Sequence, residues 1–406
     1  MKLVHFWDKS YRHKEGVNGV QAIYANNLLR TLAFSLGGLF SPLYIFLLGF
    51  EEKGLVYGLR VLILSIVIER VFVILLALPL GKLVFRLGFK WSVLLGSLFL
   101  SIVFFLPAIF PRSIWLIVIM SILSAFEILF YWLARLSLMS LDGDRGHYGH
   151  EVSFMALTSQ IVSILGPFVG GYLVTTGGFR NLFAVVAGIS IISSLPMFFV
   201  FNHKINDGIS IRGMIDFVKS RKNLHLNIAF FGQGINNAID GFFWVVYFYL
   251  IVKSFELVGG ITSVITALTI LVIYLAGRRF DRQRSQGKHA DGRNFTIATC
   301  WIALLTFIRP LFTGLVSFVT YDLATSLSGP YWYIPYDSYL FSAGKRAESP
   351  LAFFTYREVV YSVGRLGIAL VLFFLISIVP AGLLWWVIFA FSALGILMTG
   401  GLRKES

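Results

Sequence analysis

The sequence predicts an all-α integral membrane protein, with twelve transmembrane helices in two pseudo-symmetric six-helix bundles. Three observations carry that expectation. Apolar runs of roughly twenty to twenty-five residues recur twelve times along the chain, each long enough to cross a hydrocarbon core ~30 Å thick. Hydrophobic residues make up 57% and charged residues 13% of the 406 residues, far from the ~45–50% and ~25% of soluble domains. The second half of the chain also repeats polar landmarks of the first at a spacing of about 200 residues.

The spans are expected at 20–46, 55–80, 91–110, 113–140, 151–176, 180–202, 226–252, 257–277, 294–313, 315–342, 350–376 and 379–401. The opening stretch, MKLVHFWDKSYRHKEGV, is too polar for the core of a signal peptide, and no small-residue cleavage site follows the first apolar run, so span one is expected to remain in the mature protein. Lys53 follows span one, Lys82 to Lys90 separate spans two and three, Arg112 lies between three and four, and the loop LDGDRGHYGHE joins four to five. Arg180 marks the turn from five to six. Lys253 lies between seven and eight, Arg278 to Arg293 lie between eight and nine, Gly329-Pro330 interrupts span ten, and Lys345-Arg346 precede span eleven. The longest polar stretch, residues 203–225, reads as a linker between an N-terminal bundle over 1–202 and a C-terminal bundle over 226–406. Within it, Ile209 to Val218 suit a short amphipathic helix lying on anionic lipid heads, and a solvated linker fits equally well.

Lys and Arg fall unevenly between the two sets of alternate connections. One set, which includes both termini, carries 23 and the other carries 4. By the positive-inside rule both termini are expected on the cytoplasmic side of the cytoplasmic (inner) membrane, as an even number of spans requires. The net charge of +14 is scattered among spans instead of forming one solvated face, which argues against a nucleic-acid partner. Cys300 is the only cysteine and lies in an apolar span, and all seven histidines fall outside the spans, so neither a thiolate metal cage nor a haem site is expected. The pattern GxxxxGK[ST] does not occur, so no nucleotide site and no cofactor is expected. The nearest approach to an enzymatic cluster, Asp142 with His147 and His150, reads more simply as a connecting loop.

The repeat has three landmarks. Asn26-Asn27 and Asn236-Asn237 are each followed three residues on by a charge, Arg30 and Asp240; Tyr131-Trp132 match Tyr331-Trp332; and SFMALTSQIVSILG from Ser153 matches LAFFTYREVVYSVG from Leu351. The offsets are 210, 200 and 198, as expected of duplicated transporter halves with unequal loops. Between spans two and three stands GKLVFRLGFK, Gly81 to Lys90, and after span eight stands GRRFDR, Gly277 to Arg282. A helix leaving the bilayer needs a small residue for close packing, then cations for its C-terminal carbonyls and lipid phosphates. These two segments resemble motif A of the major facilitator superfamily. Gly81, Arg86, Gly88 and Lys90 match in the first copy, where Phe85 replaces the expected acid, and Gly277, Asp281 and Arg282 match in the second. Gly166-Pro167-Phe168-Val169-Gly170-Gly171 resembles the end of motif C, associated there with antiporters, although Val162 stands where an upstream glycine is expected. The resemblance covers essentially the whole chain and is nearest to the drug/proton antiporter-like bacterial members. It implies alternating access, a cavity lined by spans one, four, seven and ten, and gating roles for the matched Gly, Pro, Asp, Arg and Lys residues.

Ionisable groups at membrane depth mark candidate sites. Six acids (Glu69, Glu127, Asp240, Asp322, Asp337, Glu358) face seven bases (Arg30, Arg60, Arg70, Arg135, Arg309, Arg357, Arg365). Asn26 and Arg30 share one helix face, as do Asn236, Asp240 and Trp244, and Glu127, Tyr131 and Arg135. With Asp322, Trp332, Tyr333 and Asp337 on span ten, the expected cavity is mixed polar and aromatic. Glu127 near mid-span and Asp240 are the expected proton-coupling groups, because desolvation there disfavours the charged form. Arg30 is expected as an anion ligand or as the counter-ion of Asp240, Arg135 and Asp337 as an inner gate, and Arg60 and Arg309 as snorkelling boundary residues. Arg357, Tyr361 and Arg365 share a face that either approaches the cavity or pairs with span ten, the latter preferred. The expected function is proton-coupled export of a small amphipathic molecule by a monomeric, non-enzymatic transporter embedded in membrane lipids. A lipid or lipid-linked flippase and a proton symporter of a metabolite or siderophore are the alternatives.

Overall fold

A computed structural model describes residues 17–142, 158–199, 209–285 and 290–405, and the regular secondary structure among them is all helical. His147 and His150 lie outside the described residues. In chain order the helices are α1 (Val17–Gly37), α2 (Ser41–Lys53), α3 (Leu55–Leu87), α4 (Phe89–Ile109), α5 (Ile114–Asp142), α6 (Gly166–Ser194), α7 (Ile211–Lys219), α8 (Leu224–Ala238), α9 (Trp244–Val252), α10 (Phe255–Ser285), α11 (Ala290–Ile308), α12 (Leu315–Ser328), α13 (Pro330–Arg346), α14 (Pro350–Ile378) and α15 (Ala381–Thr399). The protein is a twelve-span integral membrane protein. Ten helical stretches among the described residues are long and apolar enough to cross a membrane. One of them, Thr158–Phe198, has 41 residues, which as a single rod would be about 60 Å long. Its backbone leaves helical geometry at Gly178, so it holds spans five and six. The remaining span is α12 with α13, interrupted at Gly329.

Breaks in the spans have local causes. Span one is split between α1 and α2, since Gly37 and Gly38 are poor helix formers and Pro42 at the start of α2 has no N–H to continue the ladder. Three connections in the first half turn on a glycine alone: Gly54, Gly88 and Gly178 have φ of 80°, 79° and 70°, in a region that only glycine enters without strain. At Gly88 the N–H closes α3 by donating to the Val84 carbonyl at 2.9 Å, and α4 starts at the next residue. Span seven runs from α8 through a π-helical turn, Ile239–Phe243, into α9.

Within the first half, α1 packs on α6, α3 and α4 pack on α5, and α4 packs on α6. In the second half, α8 packs on α14 and α15, and α11 packs on α15. Two antiparallel seams join the halves, α3 against α14 and α6 against α10. The second seam explains the Gly-Pro element. Pro167 opens α6, which leaves the Phe168 N–H without a partner in its own helix, and Ser263 Oγ of the other half accepts it at 3.0 Å. Close approach is possible because Gly171 lies against the Phe255 carbonyl and Gly259 against the Pro167 carbonyl.

The buried apolar residues form two layers, and each draws on both halves. One, around Val73, Leu129, Phe230, Ile334 and Phe354, lies toward the end carrying the Lys- and Arg-rich connections, here the basic end. The other, around Phe40, Leu62, Phe104, Phe183, Val246 and Leu372, lies toward the opposite end. Along α3 the layers part at Glu69-Arg70, and along α14 at Tyr361 to Arg365. The amphipathic helix α7 is present. Phe217 packs on Phe353 and Tyr356, while Ile211, Ile215 and Val218 are exposed.

Candidate functional site

Between the apolar layers lies a cavity of ≈ 830 Å³ lined by residues of both halves. Phe34, Phe104, Trp132, Phe242 and Phe341 supply apolar surface, while Glu69, Arg70, Glu127, Arg135, Asp337, Arg357, Glu358 and Arg365 supply charge. Volume and mixed lining suit a ligand of drug-like size.

The first charge cluster belongs to the N-terminal half. Arg30 of α1 pairs with Glu127 of α5, both nearly buried at 3% and 4% exposure. The guanidinium also stacks 3.4 Å from the Tyr131 ring centroid, and its Nε and Nη1 have no hydrogen-bond partner. In a low-dielectric site this pair is stable only while both partners remain, because removal of one strands a charge.

The second cluster bridges the halves across the seam of α3 and α14. Arg70 pairs with its neighbour Glu69, and its Nη1 lies 3.3 Å from both Glu358 Oε1 and Ser362 Oγ. Arg357 pairs with Glu358 at 3.0 Å, and Arg365 approaches Glu69 only to 3.8 Å. The Tyr361 ring sits among all three guanidiniums, with Arg357 at 4.5 Å, Arg365 at 5.8 Å and Arg70 at 6.0 Å from its centroid. The preferred expectation paired this face of span eleven with span ten. Arg357 of that face lies beside Tyr336 and Asp337 of span ten, while Arg365 approaches Glu69 of span two, and the same residues line the cavity.

A third cluster stands apart from the cavity lining. Arg309 donates to Asp240 at 3.0 Å, and Asp322 lies close to both. Arg309 is 3% exposed and stacks on Phe389, so it does not snorkel to the boundary as expected. Nor is Arg30 the counter-ion of Asp240: Arg309 holds that place, and Arg30 is taken by Glu127.

Of the residues expected in the cavity, Tyr333 lines it, as do Glu127, Arg135 and Asp337. The others turn toward neighbouring helices. Asn26 donates to the Ser193 carbonyl at 2.6 Å, Asn236 accepts from Ser392 at 2.9 Å, and the Trp332 indole donates to Thr399 at 3.0 Å. Tyr131 is buried under Arg30, and Trp244 stacks on Phe248 beside Asp322. On span seven the lining residues are Gln233, Asn237, Gly241 and Phe242, one step round the helix from the expected Asn236 and Asp240. Asn236 already faces Ser392 before the π turn, and the lining stripe Gln233, Asn237, Gly241 keeps its four-residue spacing into it, so the cavity face of span seven is one residue round from the expected one.

A family model described as Major Facilitator Superfamily matches residues 23–367. The chain belongs to the major facilitator superfamily. It is therefore a membrane transporter by family. Among solved structures, the chain is similar to the E. coli fucose:proton symporter, with 14% identity, a TM-score of 0.61, and 95% of this chain and 98% of the other covered. It is likewise similar to the human organic anion transporter MFSD10 (TETRAN), with 15% identity, a TM-score of 0.66, and 95% and 99% covered. Both likenesses describe the fold. No curated protein sequence gives a significant match.

The motif glycines Gly81, Gly166, Gly170 and Gly171 of this major facilitator protein sit at helix contacts. Gly81 of the first motif A copy lets the basic end of α3 approach Thr355 of α14 and Ile209. Arg86 is exposed, and Lys90 donates to the Phe198 carbonyl at 2.9 Å. Gly277, Asp281 and Arg282 of the second copy lie in α10. Gly166 packs on Ser35 of α1, and Gly170 packs on the Leu36 carbonyl and the Phe40 ring. The Gly-Pro element thus wedges span five between span one and span eight. The polar lining residues that the sequence reading did not assign to the cavity include Gln233 and Asn237 on span seven and several serines; for the bridging cluster the available signal was two adjacent acid–base pairs, Glu69-Arg70 and Arg357-Glu358, inside apolar runs.

Proposed function

We propose that the protein is a proton-coupled secondary transporter that moves a small amphipathic molecule through this cavity by alternating access. The carrying observation is the ≈ 830 Å³ cavity between the halves, apolar and aromatic on part of its wall and densely charged on the rest. Spans two with eleven and five with eight act as the seams along which the halves rock, with the basic end facing the cytoplasm.

Asp337 is the best-placed proton carrier. It lines the cavity and faces Arg357 and Arg135, yet forms no ion pair among the described residues. Glu127 and Asp240 are each paired with an arginine, Arg30 and Arg309. Export in exchange for protons remains the direction implied by the resemblance to motif C. A second reading, symport, is favoured by the position of Asp337: a carboxylate that shares its guanidiniums with the substrate site releases them on protonation.

Reconstitution into proteoliposomes tests the proposal. An imposed pH gradient should drive substrate movement in the parent protein. Asp337→Asn should abolish the response to the gradient while leaving substrate exchange at equilibrium intact. Unchanged coupling in Asp337→Asn together with its loss in Glu127→Gln would transfer the role to Glu127.

A further inference from the structure

The charges around the cavity do not balance. Behind or on its wall stand five guanidiniums, Arg30, Arg70, Arg135, Arg357 and Arg365, against four carboxylates, Glu69, Glu127, Asp337 and Glu358. Pairing assigns most of them. Arg30 takes Glu127, while Arg70 and Arg357 share Glu358, with Glu69 bonded to Arg70. Two bases are left with weak compensation. Arg135 forms no ion pair among the described residues and rests on the Trp132 ring at 4.9 Å. Arg365 is 5% exposed, makes no hydrogen bond to a carboxylate, and has an Nε without any partner.

Resting on the transport reading above, we infer that the cavity recognises an organic monoanion, one anionic oxygen group on an apolar body, with Arg365 as its principal ligand and Arg135 of the other half lining the same cavity. A buried guanidinium without a hydrogen-bonded carboxylate is costly unless an anion completes it, and its planar fork matches a carboxylate or sulfate bidentately. The site is built to hold that fork still. The Arg365 guanidinium lies 5.2 Å from the Phe242 ring centroid and 5.8 Å from that of Tyr361, and Gly234 of α8 lets the Arg365 backbone pack close. Phe34, Phe104, Phe242 and Phe341 line the same space and suit the apolar body. With all four carboxylates ionised, the single excess positive charge matches one negative charge on the ligand, whereas a dianion would leave the cavity as unbalanced as it is when empty.

The test is a thermal-shift panel on the purified full chain in neutral detergent. It uses matched sets: aromatic and aliphatic monocarboxylates and monosulfates, their neutral esters or alcohols, and amines of the same skeleton. A further arm uses short-chain phosphatidylglycerol, an anionic lipid. Stabilisation should be concentrated among the monoanions. Arg365→Ala should weaken their apparent affinity at least about tenfold, as expected for loss of a charged hydrogen-bonding group, with partial recovery in Arg365→Lys. Arg180→Gln, an exposed base far from the cavity, should leave it unchanged. Should Arg365→Ala prove unfolded, Arg135→Gln serves as the second variant and should weaken the same ligands. Phosphatidylglycerol alone as the Arg365-dependent hit would assign the anion to a lipid headgroup and uphold the charge recognition. Hits concentrated among amines or neutral members, no monoanion hit, or monoanion hits indifferent to both arginine variants would overturn the inference. If amines bind and are moved in proteoliposomes, the transport reading stands while the anion assignment falls; if monoanions bind in the arginine-dependent way and none is moved, the reverse holds.

Discussion

Arg30 and Glu127 show how a buried charge acquires a partner in this protein: α1 and α5 place them opposite each other, and Tyr131 covers the guanidinium. Glu127→Gln should therefore destabilise the protein by about 3–5 kcal/mol, because it leaves Arg30 buried and unpaired. The double variant with Arg30→Gln should recover much of that loss in a detergent thermal-melting cycle. Additive losses would mean that the pair does not form. Asp337 presents the opposite case, a cavity carboxylate with no ion-pair partner among the described residues. The groups that face it are Arg357 from span eleven, Arg135 from span four, and Tyr333 and Tyr336 on its own span. If substrate and Asp337 share those guanidiniums, acidification should strengthen binding of a monoanion, since the protonated carboxyl no longer competes. Binding measured across acidic to neutral pH should lose this dependence in Asp337→Asn.

At the scale of elements, the joint at Gly166 to Gly171 is governed by backbone approach. A Cβ at Gly171 would meet the Phe255 carbonyl, so Gly171→Val should lower the melting temperature and transport together, whereas Gly188→Ala, with nothing within 4 Å, should change neither. Ser263→Ala leaves the Phe168 N–H without its acceptor and should cost about 1–3 kcal/mol. A melting curve indistinguishable from the parent would show that another acceptor reaches that N–H. On span seven Asp240 turns to Arg309, while Gln233, Asn237 and Gly241, four residues apart, face the cavity. Spacing along one helix says which residues share a face and not which face meets the cavity, so the expectation names the right span and the wrong face. On span four, Glu127 and Arg135, eight residues apart, both line the cavity, while Tyr131 between them is covered by Arg30.

At the scale of the molecule, alternating access requires the seam between α3 and α14 to open at one end at a time. A Cβ at Gly81 would lie 3.0 Å from Thr355 Oγ1 and 3.2 Å from Cγ2, so the two spans touch at this point. In a Cys300→Ser background, Gly81→Cys with Thr355→Cys should cross-link under oxidation and stop transport, and a reductant should restore it. Full transport by the cross-linked protein would exclude separation of the two spans at the basic end. The bridging cluster of Arg70, Glu69, Glu358 and Arg357 lies on the same seam, so its ion pairs must exchange partners during each cycle or travel as one unit.

The sequence alone determined that this is a twelve-span membrane protein, because span length, apolarity and the placement of Lys and Arg are local properties that a bilayer reads one segment at a time. It also pointed to the family, through glycines and cations whose spacing serves close packing and helix ends. Which charges pair, and which face the cavity, was decided by the tertiary structure. Arg309 stands at the end of α11, where sequence position alone suggests a boundary residue, yet Asp240, 69 residues away, draws it inward. Arg70 and Glu358 are 288 residues apart and belong to different halves. Coulomb attraction and hydrogen bonding act over a few ångströms, and distances of that order between remote residues exist only once the helices have packed.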